Sequence, residues 1–229
     1  MIRRPPRSTL SPSSAASDVY KRQMEDNRKV LYDIVYEKMF TVMNNYHPVS
    51  ESLRELIYDN SAPVRFTKGE LLLTENRECN VLFFIAGGFC SCFYNKDGKE
   101  CIIRFAGDGN FCTSWHSFLG KQRSLINIKA TEDTTAVCFK REQFDKLWEE
   151  STEFVAVICR VLEMYAIESE EKTFRMRSNQ AEGRVRHCMD TREIHYLMKH
   201  VPRYNIASYL NMTQETFSKI FTQLNKEQK

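Results

Sequence analysis

With 229 residues and a mass of 27.0 kDa, the chain has room for one large domain or two modest ones. Hydrophobic residues make up 42%, charged residues 28% and aromatics 12%, with only 8 Gly and 6 Pro, so the chain can bury a core and is neither collagen-like nor largely disordered. No run approaches the roughly 18 to 20 consecutive apolar residues of a membrane-spanning helix, which excludes an integral membrane protein of that kind. The net charge of +3 conceals three blocks. Residues 1–23 hold five basic groups against Asp18, residues 172–229 hold eleven against five acids, and the 24–171 body holds 17 against 24. A basic C-terminal quarter on an acidic body points to an anionic partner for that quarter; a solvated basic face is the plainer alternative.

The opening 1–23 is rich in Pro, Ser and Arg and lacks the apolar core of a secretory signal. It resembles translated sequencing-adapter readthrough, so Met24 is the expected native start and 1–23 a non-native, disordered leader. Helical spacing follows in Val30, Leu31, Ile34, Val35, Met39, Phe40 and Met43. Pro48 ends it, and Ser50 is placed to cap a short helix from Glu51 to Tyr58. The pattern then changes to short β-branched or aromatic runs: Glu70–Thr74, Val81–Ala86, Phe89–Tyr94, Cys101–Phe105, Leu125–Ala130 and Thr135–Phe139. Asn95-Lys96-Asp97-Gly98-Lys99-Glu100 reads as a hairpin turn, because Gly98 can adopt positive φ. Many short strands so spaced predict a closed antiparallel sandwich or jelly roll.

After Arg141 the strand pattern stops. Glu142–Trp148 reads as a short helix, and Ser151 or Thr152 caps a long one reaching about Arg177. Its stripe Phe154, Ile158, Val161, Tyr165 has alternating spacings of four and three, as in a dimer seam. The same stripe would equally serve a helix packed on its own barrel. A last helical region covers Ala181–His200.

The eight cysteines include no C-x-x-C pair. Without a secretory signal, a reducing cytoplasm is the expected compartment, and disulfides are not expected. Cys90 and Cys92 share one face of a strand. They could form a soft-metal or redox pair, but small buried residues are the simpler reading.

Residues 201–221 fit a helix-turn-helix wherever its geometry constrains the residue type. Ala207 is the small residue needed where two helices cross. Asn211, four residues later, can take the left-handed conformation of the turn. Thr213 caps the second helix, with Glu215 in its first turn. Ile206, Leu210, Met212, Phe217 and Ile220 are the expected buried positions. Gln214, Glu215, Ser218, Lys219 and Thr222 are left to face outward, toward the edges of bases in a major groove. Thr213, Gln214, Glu215, Ser218, Lys219 and Arg203 are the candidate DNA contacts, with Arg184 and Arg186 adding charge; a helical hairpin with a polar face is the bland alternative.

Barrel, long helix and helix-turn-helix in this order resemble the CRP/FNR family of bacterial transcription regulators over about residues 60–229. Leu82-Phe83-Phe84-Ile85-Ala86-Gly87-Gly88, Asp97-Gly98-Lys99-Glu100 and Gly107-Asp108-Gly109-Asn110-Phe111 are similar to barrel segments of that family. Gln214-Glu215-Thr216-Phe217-Ser218-Lys219 is similar to its R-E-T-x-x-R recognition motif, with Gln214 departing from the first Arg and Lys219 keeping the charge of the second. The resemblance implies an α+β protein: N-terminal helices with a cyclic-nucleotide-binding-like jelly-roll sensor (24–150), a dimerisation helix (151–178) and an all-α helix-turn-helix domain (179–229). It further implies a homodimer in the bacterial cytoplasm on palindromic double-stranded DNA, with RNA polymerase as a further partner and no membrane association.

The effector is less well specified. Where nucleotide-binding members carry G-E-L/I, this chain has Thr113-Ser114-Trp115-His116, so the ribose-binding acid is absent. Arg123-Ser124 resembles the family's phosphate-binding pair, at a spacing one residue longer. Thr113, Ser114, Trp115, Arg123 and Ser124 are therefore the candidate pocket, for cyclic AMP or another small effector. Residues 24–78 lack cysteine, against an iron–sulfur cluster ahead of the barrel, and His116 is a lone candidate haem ligand. One His within 61–140 disfavours a metal cupin enzyme. A ligand-binding or interaction module without DNA binding is the remaining alternative.

Overall fold

The structure, a computed structural model, describes residues 32–227. The leader 1–23, with Val30 and Leu31 of the first helical stripe, lies outside the described residues. Helix α1 (32–44) and α2 (Glu51–Asp59) come first, and Ser50 Oγ accepts the Leu53 N–H at 3.2 Å as the cap of α2.

Eight strands follow: β1 (Ala62–Phe66), β2 (Leu71–Leu73), β3 (Val81–Gly87), β4 (Phe89–Lys96), β5 (Lys99–Gly107), β6 (Phe111–Cys112), β7 (Asn127–Ala130) and β8 (Thr134–Lys140). They form two antiparallel four-stranded sheets, ordered β1-β8-β3-β6 and β2-β7-β4-β5, a jelly roll. The β4–β5 hairpin turns through Asp97 (φ 51°) and Gly98 (φ 75°), the paired positive φ angles of a type I′ turn. β1 and β6 escaped the sequence reading. Pro63 within β1 argues against a strand, yet β1 is a sheet edge, where a missing N–H costs no ladder bond. Between β6 and β7 the chain makes the short helix α3 (Trp115–Gly120).

Helix α4 (Arg141–Glu150) leads to the long α5 (Thr152–Ser178), capped by Ser151 Oγ accepting the Phe154 N–H at 3.1 Å. Phe154, Val157, Ile158 and Val161 are buried in one core with both sheets, α1, α2 and α4. The supposed seam therefore packs on its own barrel. Phe154 lies against Phe139 and Phe144, and Tyr165 against Trp115 and the Arg104 guanidinium. Phe154, Ile158 and Val161 are buried there, and Tyr165 is half-buried.

The helical region predicted over Ala181–His200 is two helices, α6 (Ala181–Asp190) and α7 (Glu193–His200), broken at Arg192 in the left-handed region (φ 59°). Helices α8 (Arg203–Tyr209) and α9 (Gln214–Glu227) complete the chain as described. A second core of Val185, Ile194, Leu197, Ile206, Leu210, Phe217 and Leu224 holds α6 to α9 together and includes Phe89 of the barrel. No described helix is long and apolar enough to cross a membrane.

Candidate nucleic-acid interface and effector cavity

The turn between α8 and α9 has the chemistry its sequence requires. Asn211 adopts φ 53°, its N–H donates to Ser208 O at 3.0 Å, and the Met212 N–H donates to Ala207 O at 3.0 Å. These two bonds are a Schellman motif, which satisfies the carbonyls at the end of α8. Thr213 Oγ1 accepts the Thr216 N–H at 3.2 Å and caps α9. Ala207 is 1% exposed at the helix crossing, and Phe217 is fully buried. Gln214, Glu215, Lys219 and Thr222 lie on the open side of α9, with Ser218 half-buried among them. Arg203 is exposed at the start of α8, its guanidinium 5.8 Å from the Phe221 ring centre.

Two of the basic residues have intramolecular partners. Arg184 donates to Leu210 O (2.9 Å), Asn211 O (3.3 Å) and Asn179 O (2.7 Å), clamping the turn from α6. Arg186 pairs with Glu182 at 2.9 Å and Glu227 at 3.4 Å, tying α6 to α9. Neither role was legible in the sequence, because the partners are backbone oxygens and acids up to 41 residues away. Arg184→Ala is expected to destabilise the C-terminal helices by about 2 kcal/mol through the loss of charge-assisted bonds. It should leave the salt dependence of DNA binding unchanged; a shallower dependence would return Arg184 to the DNA contacts.

The four helices are docked on the barrel. Ser208 Oγ donates to Glu100 O at 3.0 Å and accepts the Ile102 N–H at 2.9 Å, so α8 covers the open edge of β5. The His200 ring stacks on Phe89, with centroids 4.6 Å apart, and its Nδ1 is 2.9 Å from Glu132. Gly107 permits this approach: a Cβ there would stand 2.5 Å from the Tyr196 hydroxyl and 2.8 Å from Phe89. Lys172 of α5 donates to Ile103 O and lies 3.7 Å from the Tyr209 ring centre. Burial at this junction pushes its ammonium down to about 8.

A cavity of about 580 Å³ opens between β5, α3, α5 and α7, a volume suited to a small ligand. Thr113, Ser114 and Trp115 line it, with His116 exposed among the lining residues. The Trp115 Nε1–H is buried without a hydrogen-bond partner, and Arg104 of β5 is a further lining residue. Arg123 and Ser124 do not join them. Arg123 is exposed in a separate recess beside Glu78, because the segment after α3 bridges back to Glu78. Ser124 is buried and spends its hydroxyl on Ile126 O and the Ile126 N–H. With no acid at 113–116 and Arg123 in a separate recess, the contacts expected for ribose and cyclic phosphate are not assembled in this cavity. Arg104 and the unpartnered Trp115 donor were missed in the sequence, since only the fold brings β5 and α3 to one cavity.

Residues 63–151 match the family model of the cyclic nucleotide-binding domain. Among solved structures, the regulator CLP of Xanthomonas campestris, described as responsive to c-di-GMP, superposes with a TM-score of 0.61 at 14% identity over 78% of this chain and 93% of that one. The chain has the architecture of a CRP/FNR-type regulator. A protein assigned as a CRP/FNR-family transcriptional regulator from Eubacterium rectale gives a TM-score of 0.60 at 16% identity, covering 80% of this chain and 88% of its own. A CooA variant from Carboxydothermus hydrogenoformans gives 0.60 at 20% identity, covering 83% and 85%. No curated protein matches the chain in sequence. At these identities the likeness is one of fold, and it agrees with the CRP/FNR-type architecture read from the sequence.

Proposed function

We propose that the protein is a cytoplasmic DNA-binding transcription regulator of CRP/FNR type, a regulator rather than an enzyme, acting as a homodimer on a two-fold symmetric site. The observation that carries this is the helix-turn-helix itself. A Schellman turn at Asn211 and a Thr213 cap present α9 with Gln214, Glu215 and Lys219 on its open face. Gln can bond adenine, Glu can accept from cytosine N4, and Lys can donate to guanine O6 and N7. Arg203, exposed at the start of α8, supplies a phosphate contact.

The dimer contact belongs on the outer side of α5. Met164, Ile167 and Phe174 are 44%, 52% and 69% exposed, and their spacing of three and seven aligns them along one stripe. This stripe replaces the Phe154, Ile158, Val161, Tyr165 seam. The effector is a small molecule with an acceptor group for the Trp115 Nε1–H. Seated between β5 and α5, it would bear on the same junction that holds α8.

Lys219→Ala in the full chain tests the reading helix. By anisotropy on a bound duplex across a salt series, the slope of log K against log salt should fall by about 1 for a phosphate contact, or base preference at one half-site position should relax for a base contact. Unchanged affinity, slope and preference would mean that α9 does not read DNA.

A further inference from the structure

Inside the barrel, Cys92 of β4 and Cys112 of β6 face each other from opposite sheets, with Sγ atoms 3.9 Å apart and both residues fully buried. The Arg104 guanidinium stands beside the Cys92 sulfur. It also stands over the Tyr165 ring, 5.1 Å from its centre, and makes no ion pair with a carboxylate among the described residues. Arg104 is half-buried, and a partly desolvated cation is favoured by an anion beside it. Cys92 can supply that anion. The hydrogen bond from Cys112 is the largest cause holding the Cys92 thiol below its usual range; burial opposes it, and the charge of Arg104 reinforces it. The same bond, followed by burial, holds Cys112 above its own range.

Both cysteine side chains are wholly covered, and Cys92 is the one of the two that neighbours the cavity. β6 is a two-residue edge strand running into the cavity-lining Thr113–Trp115 segment.

We propose that Cys92 and Cys112 are a hydroperoxide-reactive dithiol, with Cys92 as the attacking sulfur and Cys112 as the resolving one. The Cys92 thiolate attacks one peroxide oxygen. An S–O bond forms as the O–O bond breaks, and hydroxide (from hydrogen peroxide) or alkoxide (from an organic hydroperoxide) leaves and is protonated to water or alcohol. The Cys112 sulfur then attacks the Cys92 sulfur of the sulfenic acid. The S–S bond forms, the S–O bond breaks, and hydroxide leaves as water with the Cys112 proton. Two electrons pass from the dithiol to the peroxide. Closing the disulfide requires the sulfurs to approach to about 2.05 Å, drawing β6 and the cavity wall toward β4. This site is independent of the DNA-binding reading.

The test uses the full chain treated with hydrogen peroxide, quenched by alkylation in denaturant, and mapped by peptide mass spectrometry. The expected product is a Cys92–Cys112 cross-link formed before oxidation of the other buried thiols Cys79, Cys90 and Cys188, with the exposed Cys159 marking the dose. Cys112→Ser should trap Cys92 as a sulfenic acid captured by dimedone; Cys92→Ser or Cys92→Ala should abolish both products. Arg104→Gln, checked for folding by circular dichroism, should slow Cys92 oxidation about tenfold, the equivalent of one pKa unit. Oxidation of Cys159 without the cross-link, or a Cys92 rate unchanged by Arg104→Gln, would overturn the proposal.

Discussion

Phe217→Ala is expected to remove about 3–5 kcal/mol from the C-terminal helices, the usual cost of emptying a fully buried phenylalanine site. Phe217 has no exposed surface, and its ring stacks on Phe221 at 5.6 Å between centroids. It sits in the second core with Ile206, Leu210 and Leu224, so its loss loosens α8 and α9 together. The two units can be followed separately. Both tryptophans, Trp115 and Trp148, lie outside α6 to α9, so indole fluorescence follows the barrel side while far-ultraviolet circular dichroism follows helix content. In urea, the variant should lose part of its helix signal at markedly lower denaturant, ahead of the fluorescence change. Coincident transitions shifted equally would mean that the docking through Ser208, His200 and Phe89 fuses the two cores into one cooperative unit.

Ile167→Glu combined with Phe174→Glu is expected to abolish the proposed dimer and leave a monomer. Each places a charge on the outer stripe of α5, where a second copy would have to bury it, while the barrel-facing side of the helix is untouched. Sedimentation should show a single species of monomer mass with unchanged circular dichroism. Affinity for a two-half-site duplex should fall by about 10²-fold or more, since each half-site then binds without the effective concentration supplied by its tether. Phe154→Asp makes the contrast. Phe154 is 1% exposed in the barrel core, so that change should unfold the chain rather than separate two folded copies. A dimer that survives the double variant places the subunit contact elsewhere.

What could be read from the sequence was written in short-range chemistry. The Asp97-Gly98 turn, the Ser50 and Ser151 caps, and the Ala207, Asn211 and Thr213 positions depend on neighbours within a few residues, and each is found where the residue types predict it. What could not be read depends on packing between distant segments. α5 is apolar on two sides, and periodicity alone does not say which side meets the barrel; Val157 and Ile158 go inward, Ile167 and Phe174 outward. Arg192 takes a left-handed conformation with no glycine to mark the break. Arg184 and Arg123 are both basic residues near a motif, but one clamps a turn and the other faces a side recess. The sequence places Cys90 beside Cys92 on one strand, whereas the fold sets Cys92 against Cys112 across the barrel.

The most direct measurement is a selection from random duplex DNA with the purified full-length protein. Two recognition helices related by a dimer axis along α5 should enrich a palindrome whose half-site centres are about one helical turn, ~34 Å, apart. Enrichment of a single unrepeated half-site would contradict the dimer. No enriched sequence, with binding that simply follows ionic strength, would contradict α9 as a reading helix.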